Sequence, residues 1–388
     1  MVADFGAVYA VNAFAAFIFA ASGPVAIILA VSSRGALSAA DVSSWLFGAF
    51  FVNGLISIVF CWIHRQPLVL LWSIPGTVLV CSALDHLTFP EVIGAFLASG
   101  ALVLALGWSG WVRRAMDAVP MPIVMGMVAG VFLRFGLDLV RALHHEFWIA
   151  APMTAVFLAV SALPGLGRRL PPLIAALAVG GAAIAALGGF HGVAGGGLAR
   201  PTLYTPVFSW AAMIELVVPL AVTVLVVQNG QGIAVLRAAG HRPPVDAITV
   251  ACGAGSVLTA CLGTVSTCLT GPVNAIISGS GEPRRQYTAG IAVGILACAF
   301  GLLSPLVTGL MLATPGGFIA TLAGLAMLRV LQGAFAVAFG GRCALGALVT
   351  FLVTVADVGL AGVGAPFWGL LFGVAVTLLL ERRDLTAG

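Results

Sequence analysis

Hydrophobic positions dominate this chain and fall in long runs separated by short polar connections. Fourteen such runs can be drawn, at about residues 8–31, 42–62, 67–84, 89–110, 119–140, 146–163, 171–189, 213–236, 245–262, 264–280, 287–311, 315–333, 343–361 and 363–380. About 20 apolar residues cross a bilayer as a helix. The pattern therefore predicts an all-α polytopic membrane protein of fourteen transmembrane segments, with no room for a soluble domain. The runs 67–84 and 264–280 are the least regular.

Their irregularity repeats. "LLWSIPGTVLVCS" (70–82) sets Pro75 and Gly76 inside the third run, and "LTGPVNAI" (269–276) sets Gly271 and Pro272 inside the tenth. The first run of each half is also predicted to be interrupted, by "ASGPVAII" (21–28) and "VQNGQGIA" (227–234). Seven segments per half is an odd number, so the second half enters the membrane from the opposite side and the two form an inverted repeat. Broken segments at matching positions of two halves point to a binding site near the bilayer midplane. In the third and tenth segments the chain is expected to run as extended strand and then as half-helix. Extended backbone at that depth must be covered by protein or line a cavity. A half-helix starting at Pro75, and another near Pro272, would aim free N–H groups and a positive dipole end into that cavity, which suits an anion.

Composition agrees with a membrane chain and orients it. The sequence is 388 residues long, 61% hydrophobic and 8% charged, and it contains no lysine. Soluble domains are about 25% charged. Arg65, Arg113, Arg114, Arg168, Arg169, Arg237, Arg242, Arg284, Arg285, Arg342, Arg382 and Arg383 fall on one side of the predicted topology, against Arg34, Arg141 and Arg200 on the other. Basic residues collect in cytoplasmic loops, so both termini are expected to be cytoplasmic. The net charge of +4 is absorbed by this bias and implies no nucleic-acid partner. The first run lacks a basic leader and is too long for a signal peptide's apolar stretch, so it is expected to span. The seven cysteines are scattered without a C-x-x-C pair or nearby histidines, which points to core residues rather than a metal site. No cofactor is expected.

"LLWSIPGTVLV" (70–80), "VFLRFGLDL" (131–139), "VVQNGQGIAVLRAAG" (226–240) and "GAPFWGLLFG" (364–373) together resemble the benzoate/proton symporter family of bacterial inner membranes. The resemblance runs along nearly the whole chain, and its first and third motifs are the more specific. It implies the seven-plus-seven inverted-repeat architecture shared with uracil, bicarbonate and sulfate transporters, in which a substrate-carrying core moves against a gate. It also implies uptake of benzoate or a similar aromatic carboxylate, driven by protons across the inner membrane. The chain departs from the family pattern at Gly230 and Gln231, where Ala-Pro often follows Gln-Asn, and at Ser266, Thr267, Cys268 and Thr270 in the tenth segment.

Polar residues inside the span narrow the candidates. Gln228 and Asn229 lie mid-segment, where an unpaired amide is costly. They are either interhelical glue or ligand contacts, and their position beside a Gly-rich stretch favours the ligand. Asn274 follows Pro272 in the first turn of the second half-helix. Glu91 follows Pro90 at the start of the fourth segment and is the candidate proton-coupling carboxylate, with a helix-cap role as its alternative. Glu215 and Asp357 are expected to be interfacial. Arg134 has Asp138 at i, i+4 as its default partner. Phe17 and Phe19, with Trp72, could face an aromatic ring.

The resulting expectation has a core of 1–110 and 213–312 and a gate of 111–212 and 313–388. A substrate carboxylate would sit between the two half-helix N-termini, held by Ser73, Pro75, Gly76, Thr77, Gly271, Val273 and Asn274, with Gln228, Asn229 and Phe17 nearby. Expected partners are a small aromatic carboxylate, protons and membrane lipid, with a second copy of the chain as a candidate. A uracil-like or inorganic-anion carrier on the same fold, or a passive channel, is the rival reading. An intramembrane enzyme would need a carboxylate cluster or a nucleophile–base pair, and the thirteen acidic residues lie singly near segment ends. No Walker A motif is present to drive transport by ATP.

Overall fold

A short pair of strands buried among helices organises the chain. The computed structural model describes residues 4–21, 23–112, 120–163, 172–187, 197–279, 281–358, 360 and 365–386. Arg113, Arg114, Arg168 and Arg169 lie outside the described residues. The first half holds α1 (Ala7–Ala21), α2 (Gly23–Arg34), α3 (Ala39–His64), β1 (Leu70–Trp72), α4 (Ile74–Ala83), α5 (Phe89–Ser109), α6 (Met121–His145), α7 (Phe147–Ala162) and α8 (Pro172–Ala186). The second half holds α9 (Trp210–Ala238), α10 (Val245–Ala260), β2 (Thr267–Leu269), α11 (Gly271–Ser278), α12 (Tyr287–Leu302), α13 (Ser304–Leu312), α14 (Gly316–Phe339), α15 (Ala344–Ala356), α16 (Ala365–Leu380) and the short α17 (Arg382–Thr386). Every predicted apolar run contains helix.

Two proline positions decide where strand turns into helix. Pro75 and Pro272 each sit in the first helical positions, where a missing N–H costs nothing and the fixed φ suits the helix. Two residues before each proline the chain is still extended, at the cap residues Ser73 and Thr270. β1 and β2 pair antiparallel in the register Leu70 to Leu269, Leu71 to Cys268 and Trp72 to Thr267. Backbone bonds from Ser73 N–H to Ser266 O and from Thr270 N–H to Val69 O extend the ladder at both ends.

A two-stranded ribbon has two open edges, and in an apolar interior each unpaired group costs several kcal/mol. Side chains from neighbouring segments close them. Ser57 Oγ accepts from Leu70 N–H at 2.9 Å and donates to Leu70 O at 2.7 Å. Ser256 Oγ accepts from Thr267 N–H and Asn229 Oδ1 from Leu269 N–H. Asn53 Oδ1 accepts from the Thr267 hydroxyl at 2.8 Å. Much of the polarity inside the segments therefore belongs to the ribbon.

The helices around the ribbon approach closely through small residues, as membrane helices do. A Cβ on Gly253 of α10 would lie 2.4 Å from the backbone of Leu104 in α5, so only glycine allows this contact. The helices α6, α14, α15 and α16 pack into a second group, which meets the ribbon-bearing helices chiefly through α2 against α14, α16 against α9 and α4 against α6.

The structure corrects the expected break in the eighth segment. α9 is continuous, with a π-helical stretch at Thr223–Asn229 and Gly230 in ordinary right-handed helical geometry. Its glycines serve close approach instead: a Cβ on Gly232 would lie 2.7 Å from Leu269 of β2. At the break expected in the first segment, Ser22 lies outside the described residues, with α1 and α2 on either side of it. The eleventh run bends at Leu303 into α12 and α13, and α14 runs to Phe339, beyond the expected end of its segment.

Contacts between connections sort them onto two faces. Arg34 pairs with Asp85, and Ala199 N–H with Leu302 O, on the arginine-poor face. On the other face Arg65 reaches Tyr287, which donates to Asp4, and Gln66 reaches the carbonyl of Arg242.

Candidate functional site

Because β1 and β2 run antiparallel, α4 and α11 leave the ribbon in opposite directions with their N-termini at its two ends. Both ends line one small cavity, walled by Leu71, Trp72, Ile74, Thr270 and Val273 with Phe19, Ala20 and Pro24 from the first segment. Its volume of about 10 Å³ holds little more than a single water. Its walls are almost wholly apolar, which suits an aromatic ring, and polar recognition is left to backbone ends.

The two helix ends differ. At α4, Ser73 is an N-cap whose Oγ accepts from Gly76 N–H at 3.1 Å, while its carbonyl accepts from both the N–H and the hydroxyl of Thr77. Pro75 has no N–H, so only Ile74 N–H is left without a partner at this end. At α11 the cap residue Thr270 makes no side-chain cap, because its hydroxyl accepts from Leu71 N–H across the ribbon. Gly271 and Val273 therefore keep free backbone N–H groups in a buried site. Unpaired buried N–H groups are rare and costly, and here they coincide with the positive end of a helix. The α11 end is the stronger anion site.

The residues singled out in the sequence divide into those at the cavity or the half-helix ends and those that hold the scaffold together. Val273 lines the cavity, and Gly76, Thr77 and Gly271 lie in the first turns of the half-helices. Gly76 lies against Leu220 of α9 and Gly271 against the Gln231 side chain. Gln228 is 4% exposed and makes no hydrogen bond, so its amide is available. Asn274 is corrected to a scaffold residue: its Oδ1 accepts from Val69 N–H at 2.9 Å, and its Nδ2 donates to Val69 O at 3.0 Å and Thr270 O at 2.8 Å. Asn229 likewise spends its Oδ1 on Leu269 N–H, leaving Nδ2 unpartnered. Phe17 packs edge-on to Phe300 and is not among the residues lining the cavity, where Phe19 stands instead.

Glu91 caps the helix it begins. Its Oε2 accepts from both the N–H (2.9 Å) and the hydroxyl (2.7 Å) of Thr88, a reciprocal capping box. These are the bonds of the helix-cap role, the alternative expected for Glu91. Arg134 pairs with Asp357 at 2.7 Å, while Asp138 turns to Arg141. Glu215, expected at the interface, is 3% exposed and bonds His86 Nε2 at 2.8 Å. It went unrecognised because its partner lies 129 residues away.

On the arginine-poor face, two adjoining cavities of about 280 and 250 Å³ share Arg34, Cys81, Arg134 and Phe135. They lie between α2 and α4 on one side and α6, α14 and α15 on the other. Arg34 holds the Asp85 carboxyl below its ordinary value by a two-point bond at 2.9 and 2.8 Å. Among the described residues no group of three His, Cys, Asp or Glu could hold a metal ion.

Half-helices meeting at a buried strand pair, within a multi-pass helical protein, are the arrangement expected at a membrane transporter's binding site. Solved structures share the fold: the SLC26A9 structure superimposes with a TM-score of 0.69 at 13% identity, over 96% of this chain and 65% of that longer one. The transmembrane domain of the cyanobacterial bicarbonate transporter BicA gives a TM-score of 0.60 at 14% identity, covering 98% and 96% of the two chains. Among curated proteins, the chain is 30% identical over 386 residues to the inner membrane protein YdcO of Escherichia coli K12, covering 95% and 96% of the two chains. It is 26% identical over 378 residues to the benzoate membrane transport protein of Acinetobacter baylyi, covering 95% and 94%. The profile of the benzoate membrane transport protein family matches residues 3–379, and the chain belongs to that family.

Proposed function

We propose that the protein is a secondary active transporter that takes up benzoate or a similar aromatic carboxylate together with protons across a bacterial inner membrane. The observation that carries this reading is the uncapped N-terminus of α11 in an apolar cavity: two free N–H groups for a carboxylate, and Trp72, Phe19 and Leu71 for a ring. The carboxylate would lie against Gly271 and Val273, with Ile74, Gly76, Thr77 and Ser73 at the opposite end and the Gln228 amide adding a donor. Burial of a carboxylate among helix N-termini favours the anion over the neutral acid, so the proton must travel on the protein.

The moving parts would be a core of 1–110 with 213–312 and a gate of 111–212 with 313–388, both termini facing the cytoplasm. On that orientation the two large cavities open to the periplasm, and the central cavity of about 10 Å³ must widen to admit a ring. A homodimer fits this scheme but is not required by it.

The test is the initial rate of uptake of micromolar labelled benzoate into energised membrane vesicles, with vesicles lacking the protein as background. The expected result is a saturable component that a protonophore abolishes and that neither uracil nor sulfate competes away. A component that uracil or sulfate competes away would favour the rival substrates, and a rate that never saturates would favour a channel.

A further inference from the structure

Glu215 is the single carboxylate among the described residues whose side chain is fully withdrawn from solvent. A buried carboxylate in a membrane protein is expensive and marks function more often than structure. Its partner His86 has the one side-chain type that changes charge near neutral pH without help from its surroundings. The His86 ring is 42% exposed on the arginine-poor face, so the pair has one member in contact with solution and one sealed in the protein.

The position of the pair links it to the central site. Glu215 lies on α9 and His86 just beyond the end of α4, and those two helices run side by side. At their inner ends Ser73 Oγ meets Thr223 Oγ1 at 3.3 Å, where the half-helix begins and the π-helical stretch carrying Gln228 starts. Midway, Gly76 lies against Leu220. The same two helices are thus tied at one end by residues of the anion site and at the other by a titratable pair. A change in the tie between His86 and Glu215 alters how α4 and α9 sit against each other at the carboxylate.

The charged surroundings are few. Asp85 and Glu91 lie near enough for the His86 charge to act on both, but Asp85 is committed to Arg34 and Glu91 to the cap of α5. Cys81 and, from α6, Arg134 lie on the facing side of α4, with Arg134 committed to Asp357, and neither α16 nor the π-helical stretch of α9 brings a titratable group. Of the carboxylates in this group only Glu215 is buried, and its partner is a histidine rather than an arginine or a helix cap.

We propose that the His86–Glu215 pair is the site that takes up the coupled proton. It rests on the proton-coupled reading above. A proton arriving from the outer solution binds the exposed His86 ring and is shared with Glu215, neutralising the buried carboxylate. It leaves by the same atoms once the pair faces the inner solution, so one proton is carried per cycle and none is consumed. Both residues lie within the proposed core, so the proton and the carboxylate travel on the same body.

The test uses purified protein and titration calorimetry of benzoate across pH 6 to 9 in buffers of differing ionisation enthalpy, which counts protons taken up on binding. Wild type is expected to take up between zero and one proton per benzoate, with affinity falling toward tenfold per pH unit on the alkaline limb. Glu215→Gln keeps the hydrogen-bonding shape, so it is expected to bind benzoate with proton uptake reduced to zero and affinity flat in pH. Glu215→Asp, which keeps a carboxyl, is expected to retain uptake, and His86→Gln to move the pH midpoint. Size-exclusion elution reports whether each variant is folded, and Glu215→Asp stands in as the informative pair if Glu215→Gln does not elute as wild type. Proton uptake in Glu215→Gln equal to wild type, or its loss in Glu215→Asp, overturns the assignment while leaving the transporter reading intact. Wild-type binding without proton uptake at any pH overturns proton coupling itself, and absence of benzoate binding overturns the substrate.

Discussion

Replacing Asn274 by alanine separates scaffold from ligand contact. Asn274 is wholly buried and makes three hydrogen bonds: two, at 2.9 and 3.0 Å, tie the first turn of α11 to Val69 just before β1, and one, at 2.8 Å, reaches the Thr270 carbonyl. Each such bond contributes about 1 kcal/mol net, so their loss costs about 3 kcal/mol before any cavity is counted. Val69 N–H has no other partner and would be left buried and unpaired, adding about 1–3 kcal/mol. Thermal unfolding of purified protein in detergent should therefore fall by at least about 4 °C at the unfolding entropy per residue of ordinary proteins. Asn274→Asp is the informative companion: it can still accept from Val69 N–H but loses both donated bonds, and should fall between wild type and alanine. Stability equal to wild type in Asn274→Ala, combined with lost benzoate binding, would refute the scaffold assignment and return Asn274 to the ligand.

Three further outcomes follow from contacts elsewhere. Gly76→Leu crowds a site where even a Cβ would lie 3.0–3.2 Å from Ser73 and Leu220, so benzoate binding by calorimetry should be lost while the protein still elutes as a folded particle. Gly253→Val drives a side chain into the Leu104 backbone at 2.4 Å and should cost more than about 2 kcal/mol, read as lost folded yield. Arg34 depresses the Asp85 carboxyl, whose unfolded value is 3.8, so that pair contributes stability above that pH and loses it as pH falls lower. Thermal scans from pH 6 down to 3 should accordingly show a steeper acid decline in wild type than in Arg34→Gln, by a small margin because both groups are more than a third exposed.

What could be read from the sequence was local. Pro75 and Pro272 announce their half-helices because proline restricts its own φ, its predecessor and its donor wherever it stands. The Ser73 cap and the pairing of the two strands were not legible, because the pairing joins residues about 200 positions apart. What could not be read were partnerships across the fold. Asn274 looked like a ligand contact because its acceptor and donor on Val69 lie 205 residues away. Arg134 was paired with Asp138 by helix spacing, whereas its partner Asp357 is 223 residues distant. The glycines at 230 and 232 suggest a break, yet α9 is continuous and Gly232 lets it approach β2, a use of glycine that leaves no local trace. Glu215 near a segment end looked interfacial because the loop bearing His86, which covers it, is specified elsewhere.

The claim at the centre of this account is that an aromatic carboxylate binds between the N-termini of α4 and α11. A structure of the protein soaked with 4-bromobenzoate, with the bromine located by anomalous scattering, tests it most directly. The carboxylate is expected within hydrogen-bonding distance of the Gly271 and Val273 N–H groups and the bromine against Trp72, Phe19 or Leu71. Bromine found only in the outer cavities beside Arg34 and Arg134, with the half-helix ends unchanged, would contradict it.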